Sequence, residues 1–167
     1  MTEIICHEFE PVYDMNSRVL ILGTMPSSLS RANGFYYSNP QNRFWKVLSV
    51  IFGRVLPLTA NDKREMILSS RLALWDVVKS CEINGSDDAS IRNYEYNNIF
   101  ELLQKSNISY ICTTGRMAAI LYKKYASGLN ICQNHIELPS TSPANCRYYT
   151  YERLVEFYGI LPQLVEN

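Results

Sequence analysis

A chain of 167 residues, 47% hydrophobic and 19% charged, has the composition of a soluble globular protein and the length of one domain with a real core. Its 16 basic and 16 acidic residues cancel, which argues against a protein that coats nucleic acid but not against one that touches a few phosphates. Five scattered cysteines and two histidines offer neither a CxxC pair nor a ligand cluster, so reduced thiols are expected and no metal or other cofactor.

The first ten residues hold Glu3, Glu8 and Glu10 and no long apolar core, so neither a signal nor a transit segment is read there. No apolar run approaches the roughly 20 residues of a membrane helix, and a soluble, cytoplasmic monomer is expected. Residues 18–23, Arg-Val-Leu-Ile-Leu-Gly, suit a strand buried on both faces of a parallel sheet. Residues 24–41 show neither period, yet Phe35, Tyr36 and Tyr37 argue against disorder, and a loop this long is usually functional. From Asn42 the residues Phe44, Val47, Leu48 and Ile51 recur at helical spacing, with Gly53 as the stop.

Thr59-Ala-Asn-Asp62 resembles a cap opening a helix through Met66, Ile67 and Leu68. Residues 72–78 form a second predicted strand, and residues 79–93, with Asn84-Gly85-Ser86-Asp87-Asp88, a polar connection after it. Then come a helix at about 97–105, a strand at 109–114, a helix at 116–126, a strand at about 134–139 and a helix at 151–158. Strands alternating with helices imply an α/β/α sandwich on a parallel sheet, in a single domain over residues 1–167.

In such sheets ligands bind beyond the carboxyl ends of the strands. All four predicted ends carry small or polar residues: Gly23-Thr24-Met25-Pro26-Ser27-Ser28, Asp76, Thr113-Thr114-Gly115, and Leu138-Pro139-Ser140-Thr141-Ser142-Pro143. Short Gly/Ser/Pro turns let a backbone approach a ligand closely and aim its N–H groups at an anion or a polar base edge. By residue chemistry alone this is a cleft with aromatic walls, compatible with many nucleotide-handling proteins.

The motifs narrow it. Gly23-Thr-Met-Pro-Ser27, followed by Gly34-Phe-Tyr-Tyr-Ser-Asn-Pro-Gln-Asn-Arg-Phe-Trp45, resembles the first motif of mismatch-specific uracil and thymine DNA glycosylases. Together with Leu74-Trp-Asp-Val77, residues 81–91 and Leu138-Pro-Ser-Thr-Ser-Pro-Ala-Asn145, it looks most like the hypoxanthine-removing branch of the uracil-DNA glycosylase superfamily. The resemblance runs from about Pro11 to the C-terminal helix. It implies a four-stranded parallel sheet and a monofunctional enzyme that flips deoxyinosine out of single- or double-stranded DNA and leaves an abasic site.

Asn42 is the first catalytic candidate. Its side chain either caps the helix that follows or, as the resemblance favours, uses its amide oxygen to orient the water that attacks the anomeric carbon. Met25 stands where relatives carry Asp or Asn; a thioether can neither take a proton nor hold a water well, which shifts the burden to Asn42. Asp76 is the second catalytic candidate. It is a structural partner for nearby donors, an acceptor for the hypoxanthine N1–H, or an acid for the departing purine.

Tyr37 matches the aromatic that stacks on the extruded base, and Gly23, Thr24, Met25, Pro26 and Gly115 complete the expected base-binding set. Ser140, Thr141, Ser142, Pro143, Ala144 and Asn145 match the loop that presses into the minor groove, and Arg147 is an expected DNA contact. Arg43, Lys46 and Arg116 are further candidates for phosphates. Leu138 stands where uracil-specific enzymes place His, which argues against strong uracil activity, and no Lys is placed as a Schiff-base nucleophile. The rivals are a sister uracil or thymine glycosylase, a non-catalytic lesion-binding module, and a small-molecule hydrolase on the same fold.

Overall fold

The computed structural model describes residues 2–167. In chain order the elements are β1 (Thr2–Cys6), β2 (Val19–Gly23), α1 (Ser28–Asn33), α2 (Phe44–Ile51), α3 (Ala60–Ser69), β3 (Leu72–Asp76), β4 (Val78–Asn84), β5 (Asp87–Tyr96), α4 (Ile99–Gln104), β6 (Tyr110–Thr114), α5 (Arg116–Ala126), β7 (Asn134–Leu138), a 3-10 turn (Pro143–Asn145), α6 (Tyr151–Tyr158) and α7 (Leu161–Leu164). Among the described residues no helix is long and apolar enough to cross a membrane.

The main sheet has four parallel strands in the order β3-β2-β6-β7, as the alternation of strand and helix predicts. Every residue of β2 is buried because it is a central strand covered on both faces. Its side chains alternate between two cores. Val19 and Ile21 pack with Leu72, Leu74 and Cys112 against Phe44, Val47 and Leu48 of α2, Ile67 of α3 and Leu154 and Tyr158 of α6. Leu20 and Leu22 pack with Ala73 and Ile111 against Ile99, Leu102 and Leu103 of α4 and Leu121 and Tyr122 of α5. Burying a side chain of this size stabilises by about 1.5–3 kcal/mol, so these two layers hold the sheet between the helices.

The capping signal before α3 is real: Thr59 accepts from Asp62 N–H, and the Asp62 carboxylate accepts from the Thr59 N–H. The helix expected from Asn42 starts two residues later, at Phe44. Residues 24–41 are not wholly irregular, since Ser27 caps the short α1 and Gly34, at φ 73°, ends it.

The larger difference lies around residues 2–6 and 78–96. The expected strand 72–78 breaks after Asp76, and the polar connection expected at 79–93 is a hairpin of β4 and β5 turning at Gly85, at φ 63°. β1 pairs antiparallel with β4, Ile5 opposite Cys81, to make a separate three-stranded sheet in the order β1-β4-β5. Cys81 and Ile83 anchor it on the α4–α5 core. This sheet carries the N-terminal segment and the hairpin to the carboxyl edge of the parallel sheet.

Candidate functional site

The carboxyl ends of the parallel strands open onto a cleft of about 1070 Å³. Gly23 to Ser30, Asp76, Thr114 to Met117 and Ser140 with 142–145 line it, and the hairpin contributes Ile83 and 86–89. All of the expected site residues line this cleft except Thr141 and Arg147.

Its floor is built on the pairing of β2 with β3, where Gly23 lies opposite Asp76. A Cβ on Gly23 would come within 2.4 Å of Asp76 Oδ1 and 3.2 Å of the Tyr37 hydroxyl, so only glycine lets the carboxylate lie there. The other oxygen, Oδ2, is 2.7 Å from His7 Nε2. This partner comes from beyond β1, where the backbone N–H of His7 donates to Lys79 O. Buried Asn97 holds the strand end by donating its amide to Asp76 O at 2.9 Å and Val78 O at 3.2 Å.

Tyr37 sits beside the floor at φ 51°, a conformation that tyrosine rarely adopts. One ring face is stacked on Phe44, with centroids 3.8 Å apart and planes 15° off parallel. Its hydroxyl is 3.2 Å from Thr114 Oγ1. Burial, reinforced by the negative charge of Asp76, pushes the phenol well above its ordinary pKa, so it stays a neutral hydrogen-bonding group. Tyr36 is core: it is buried, its hydroxyl donates to Glu10 O, and its own carbonyl accepts from Trp45.

Asn42 caps the helix, and its amide oxygen is engaged a second time. Its Oδ1 accepts from the Phe44 N–H at 2.9 Å, as a cap does, and from the Thr141 hydroxyl at 2.8 Å. Both lone pairs of the amide oxygen are thereby occupied, which leaves the amide NH₂ as the end without these bonds. Thr141 is 1% exposed and gives its hydroxyl to Asn42, so it braces the site from below rather than touching DNA as expected.

The loop after β7 is tied from several sides. Ser140 Oγ accepts from Ser142 N–H, Asn145 donates its amide to Ser140 O at 2.9 Å, and Tyr158 donates to Pro139 O at 2.8 Å. Arg43 fastens it to α2: the guanidinium donates to the carbonyls of Thr141, Ser142 and Tyr149. Arg43 is therefore a clamp and not the phosphate contact proposed for it. Gly115, at φ 93°, leaves room for the same loop, since its Cβ would stand 3.1 Å from Ser140 Cβ. Gly115 also lines the cleft, at the start of α5. Met25 is 8% exposed and packs into the α4–α5 core, so its thioether is mainly a structural filler. Arg147 is exposed beyond the loop.

Sequence reasoning missed two side chains. Asp88, on β5, lines the cleft and hydrogen-bonds Thr24; burial, with added repulsion from Asp76, raises its pKa to about 6. His7 is the second. The hairpin that carries Asp88 is pinned over the first motif where Ser28 N–H and Oγ meet Ser86 Oγ at 3.3 and 3.2 Å. His7 carries no sequence signal and Asp88 only its place in the motif of residues 81–91, because both reach the site through pairing between distant strands.

Residues 10–161 match the family model of the uracil DNA glycosylase superfamily. The chain is 35% identical over 142 residues to a hypoxanthine DNA glycosylase of Methanosarcina acetivorans, covering 84% of this chain and 88% of that protein. It is 36% identical over 90 residues to a hypoxanthine DNA glycosylase of Methanosarcina barkeri, covering 53% of this chain and 57% of that one. A solution NMR structure from Methanosarcina acetivorans, provisionally described as a uracil DNA glycosylase, superposes with a TM-score of 0.81 at 31% identity, over 97% of this chain and 99% of that one.

Proposed function

Because the chain belongs to the uracil DNA glycosylase superfamily, on its hypoxanthine branch, we propose that this cleft takes a flipped deoxyinosine and hydrolyses its N-glycosidic bond, leaving an abasic site in DNA. The observation that carries this reading is the convergence of Asn42, Tyr37 and Asp76 on one cleft at the carboxyl edge of the sheet.

The mechanism follows from their geometry. Tyr37, backed by Phe44, offers its remaining ring face to the base; such stacking contributes about 1–3 kcal/mol and repays part of the cost of unstacking. Asp76 lies on the floor, where the polar edge of the base arrives. Asn42, held by Phe44 N–H and Thr141, donates its amide NH₂ to a water. That water keeps a second lone pair for the anomeric carbon. Its oxygen bonds to C1′ as the C1′–N9 bond breaks, and the proton it sheds is balanced by the one the departing hypoxanthine takes up. An oxocarbenium-like transition state demands little more from its nucleophile than correct placement. Ser140, Ser142, Pro143, Ala144 and Asn145 face the duplex at the gap, and Arg147 meets a phosphate. The enzyme acts as a monomeric, soluble, single-domain protein of the cytoplasm, on single- or double-stranded DNA bearing a deaminated base.

The test is a single-turnover assay on an end-labelled oligonucleotide with one deoxyinosine, developed with hot alkali, beside uracil and undamaged controls and the Asn42→Ala variant. Alkali-dependent cleavage at inosine, faster than at uracil and lost in the variant, supports the reading. DNA binding without cleavage at any base would sink it in favour of a lesion-binding module.

A further inference from the structure

The pair formed by His7 and Asp76 lies outside the roles assigned above, and His7 precedes the residues matched by the family. Its side chain is fully buried and that of Asp76 is 6% exposed. The imidazole stands against the rings of Phe9 and Tyr36, with centroids 5.6 and 5.9 Å away. Its Nδ1 has no hydrogen-bond partner among the described residues.

A carboxylate only accepts, so the proton of this bond belongs to His7 Nε2. Nε2 carries this proton whichever state Nδ1 is in, so the direction of the bond is fixed. His7 thus donates to Oδ2 and stops the carboxylate from turning. Oδ1 is left over the Cα of Gly23, at the floor of the cleft.

On the footing of the proposed function, we infer that His7 is a positioning residue that locks Asp76 as a fixed acceptor for a lactam N–H, so that the site reads deamination itself. Adenine presents a lone pair at N1, and hypoxanthine an N1–H. Cytosine and uracil differ in the same way at N3. A held carboxylate bonds the N–H and repels the lone pair, and an unmet polar contact in a buried site discriminates more strongly than a change of shape. Guanine also carries N1–H and is not refused by this contact. Its strong pair with cytosine resists extrusion, whereas mismatched or damaged bases leave the stack at least cost. Without His7 the Asp76 side chain can rotate away from the floor.

The experiment compares wild type, His7→Leu and His7→Gln, whose terminal amide nitrogen reproduces the Nε2 donor. Dissociation constants are measured on duplexes with non-hydrolysable 2′-fluoro-deoxyinosine or 2′-fluoro-deoxyadenosine, and wild type is assayed on deoxyinosine and 1-methyl-deoxyinosine. H7L is expected to shrink the inosine-to-adenosine preference by about 10- to 100-fold, the worth of a hydrogen bond to a charged group, and H7Q to restore most of it. Wild type is expected to leave 1-methyl-deoxyinosine uncut. An unchanged preference in folded H7L, or cleavage of the methylated base at the rate of its parent, overturns the inference. Should H7L not fold, H7Q is compared with His7→Asn, whose shorter amide cannot reach Oδ2, and equal preferences overturn it. Wild type inert on deoxyinosine speaks against the proposed reaction instead, while the binding ratio still tests His7.

Discussion

Asn42 and Thr141, 99 positions apart in sequence, are joined by a 2.8 Å hydrogen bond from the Thr141 hydroxyl to the Asn42 amide oxygen. The bond determines which end of the amide faces the cleft. Thr141→Val keeps the shape and deletes the donor, leaving the amide free to flip. The rate of inosine excision in single turnover is expected to fall about tenfold, with a loss of about 1 kcal/mol in chemical denaturation, and Thr141→Ser to keep both. A valine variant as fast as wild type would show that the orientation of Asn42 does not matter.

Gly23→Ala tests the floor. The added methyl would sit 2.4 Å from Asp76 Oδ1, and Gly23 is not among the positive-φ glycines, so the effect is displacement of the carboxylate rather than backbone strain. Misplacement of a reacting or reading group by about 1 Å costs about 100-fold in rate, and that loss is expected here with only a modest fall in melting temperature. Full activity in the alanine variant would remove Asp76 from the site.

Arg43 and Arg147 separate clamp from contact. Arg43 donates to three carbonyls of the loop that follows β7, so Arg43→Ala is expected to cost about 2 kcal/mol of stability and most activity, while the salt dependence of DNA binding keeps its slope. Arg147→Ala is expected to leave stability alone and reduce the slope of log affinity against log salt by about 1. Salt titrations of binding to an inosine duplex decide between the two patterns.

Asp88 predicts a pH dependence of stability. Its pKa rises from 3.8 to about 6, chiefly through burial, so the folded state holds the proton more tightly than the unfolded one. Stability from this group is therefore greatest below pH 3.8 and is lost as pH rises through about 6. Asp88→Asn removes the buried charge, and its melting temperature is expected to exceed that of wild type at pH 7.5 and to converge with it at acid pH. Thermal melts at both ends of the range check this, and a variant with a parallel pH profile would contradict it.

What the sequence made legible was whatever local pattern encodes. The apolar run before Gly23, the helical spacing of Phe44, Val47, Leu48 and Ile51, and the Thr59 cap each specify an element within a few residues. The strand ends, and with them most of the cleft, follow from the rule that ligands lie beyond the carboxyl edge. The second sheet left no such trace. β1 is largely exposed, β5 alternates with few apolar residues, and the pairing of β1 with β4 through Ile5 and Cys81 joins positions 76 apart. His7 and Asp88 ride on that pairing, and neither could be placed before it was seen. The end of Asn42 that faces the cleft was hidden for the same reason, since Thr141 decides it.

The cleft has two builders. Its floor belongs to the parallel sheet, held between two helical layers, and one wall belongs to the β4–β5 hairpin, which meets the floor through Ser28 and Ser86 at its tip. The two sheets join at the base of the hairpin, where the N–H groups of Val77 and Val78 donate to Gly23 and Thr24 O, and not at its turn. Residues at the turn of the hairpin can therefore be exchanged, lengthened or recharged while the strand pairing of Gly23 with Asp76 keeps its register. The turn of the hairpin is in this sense the part of the cleft wall free to vary while the floor at Gly23 and Asp76 stays fixed.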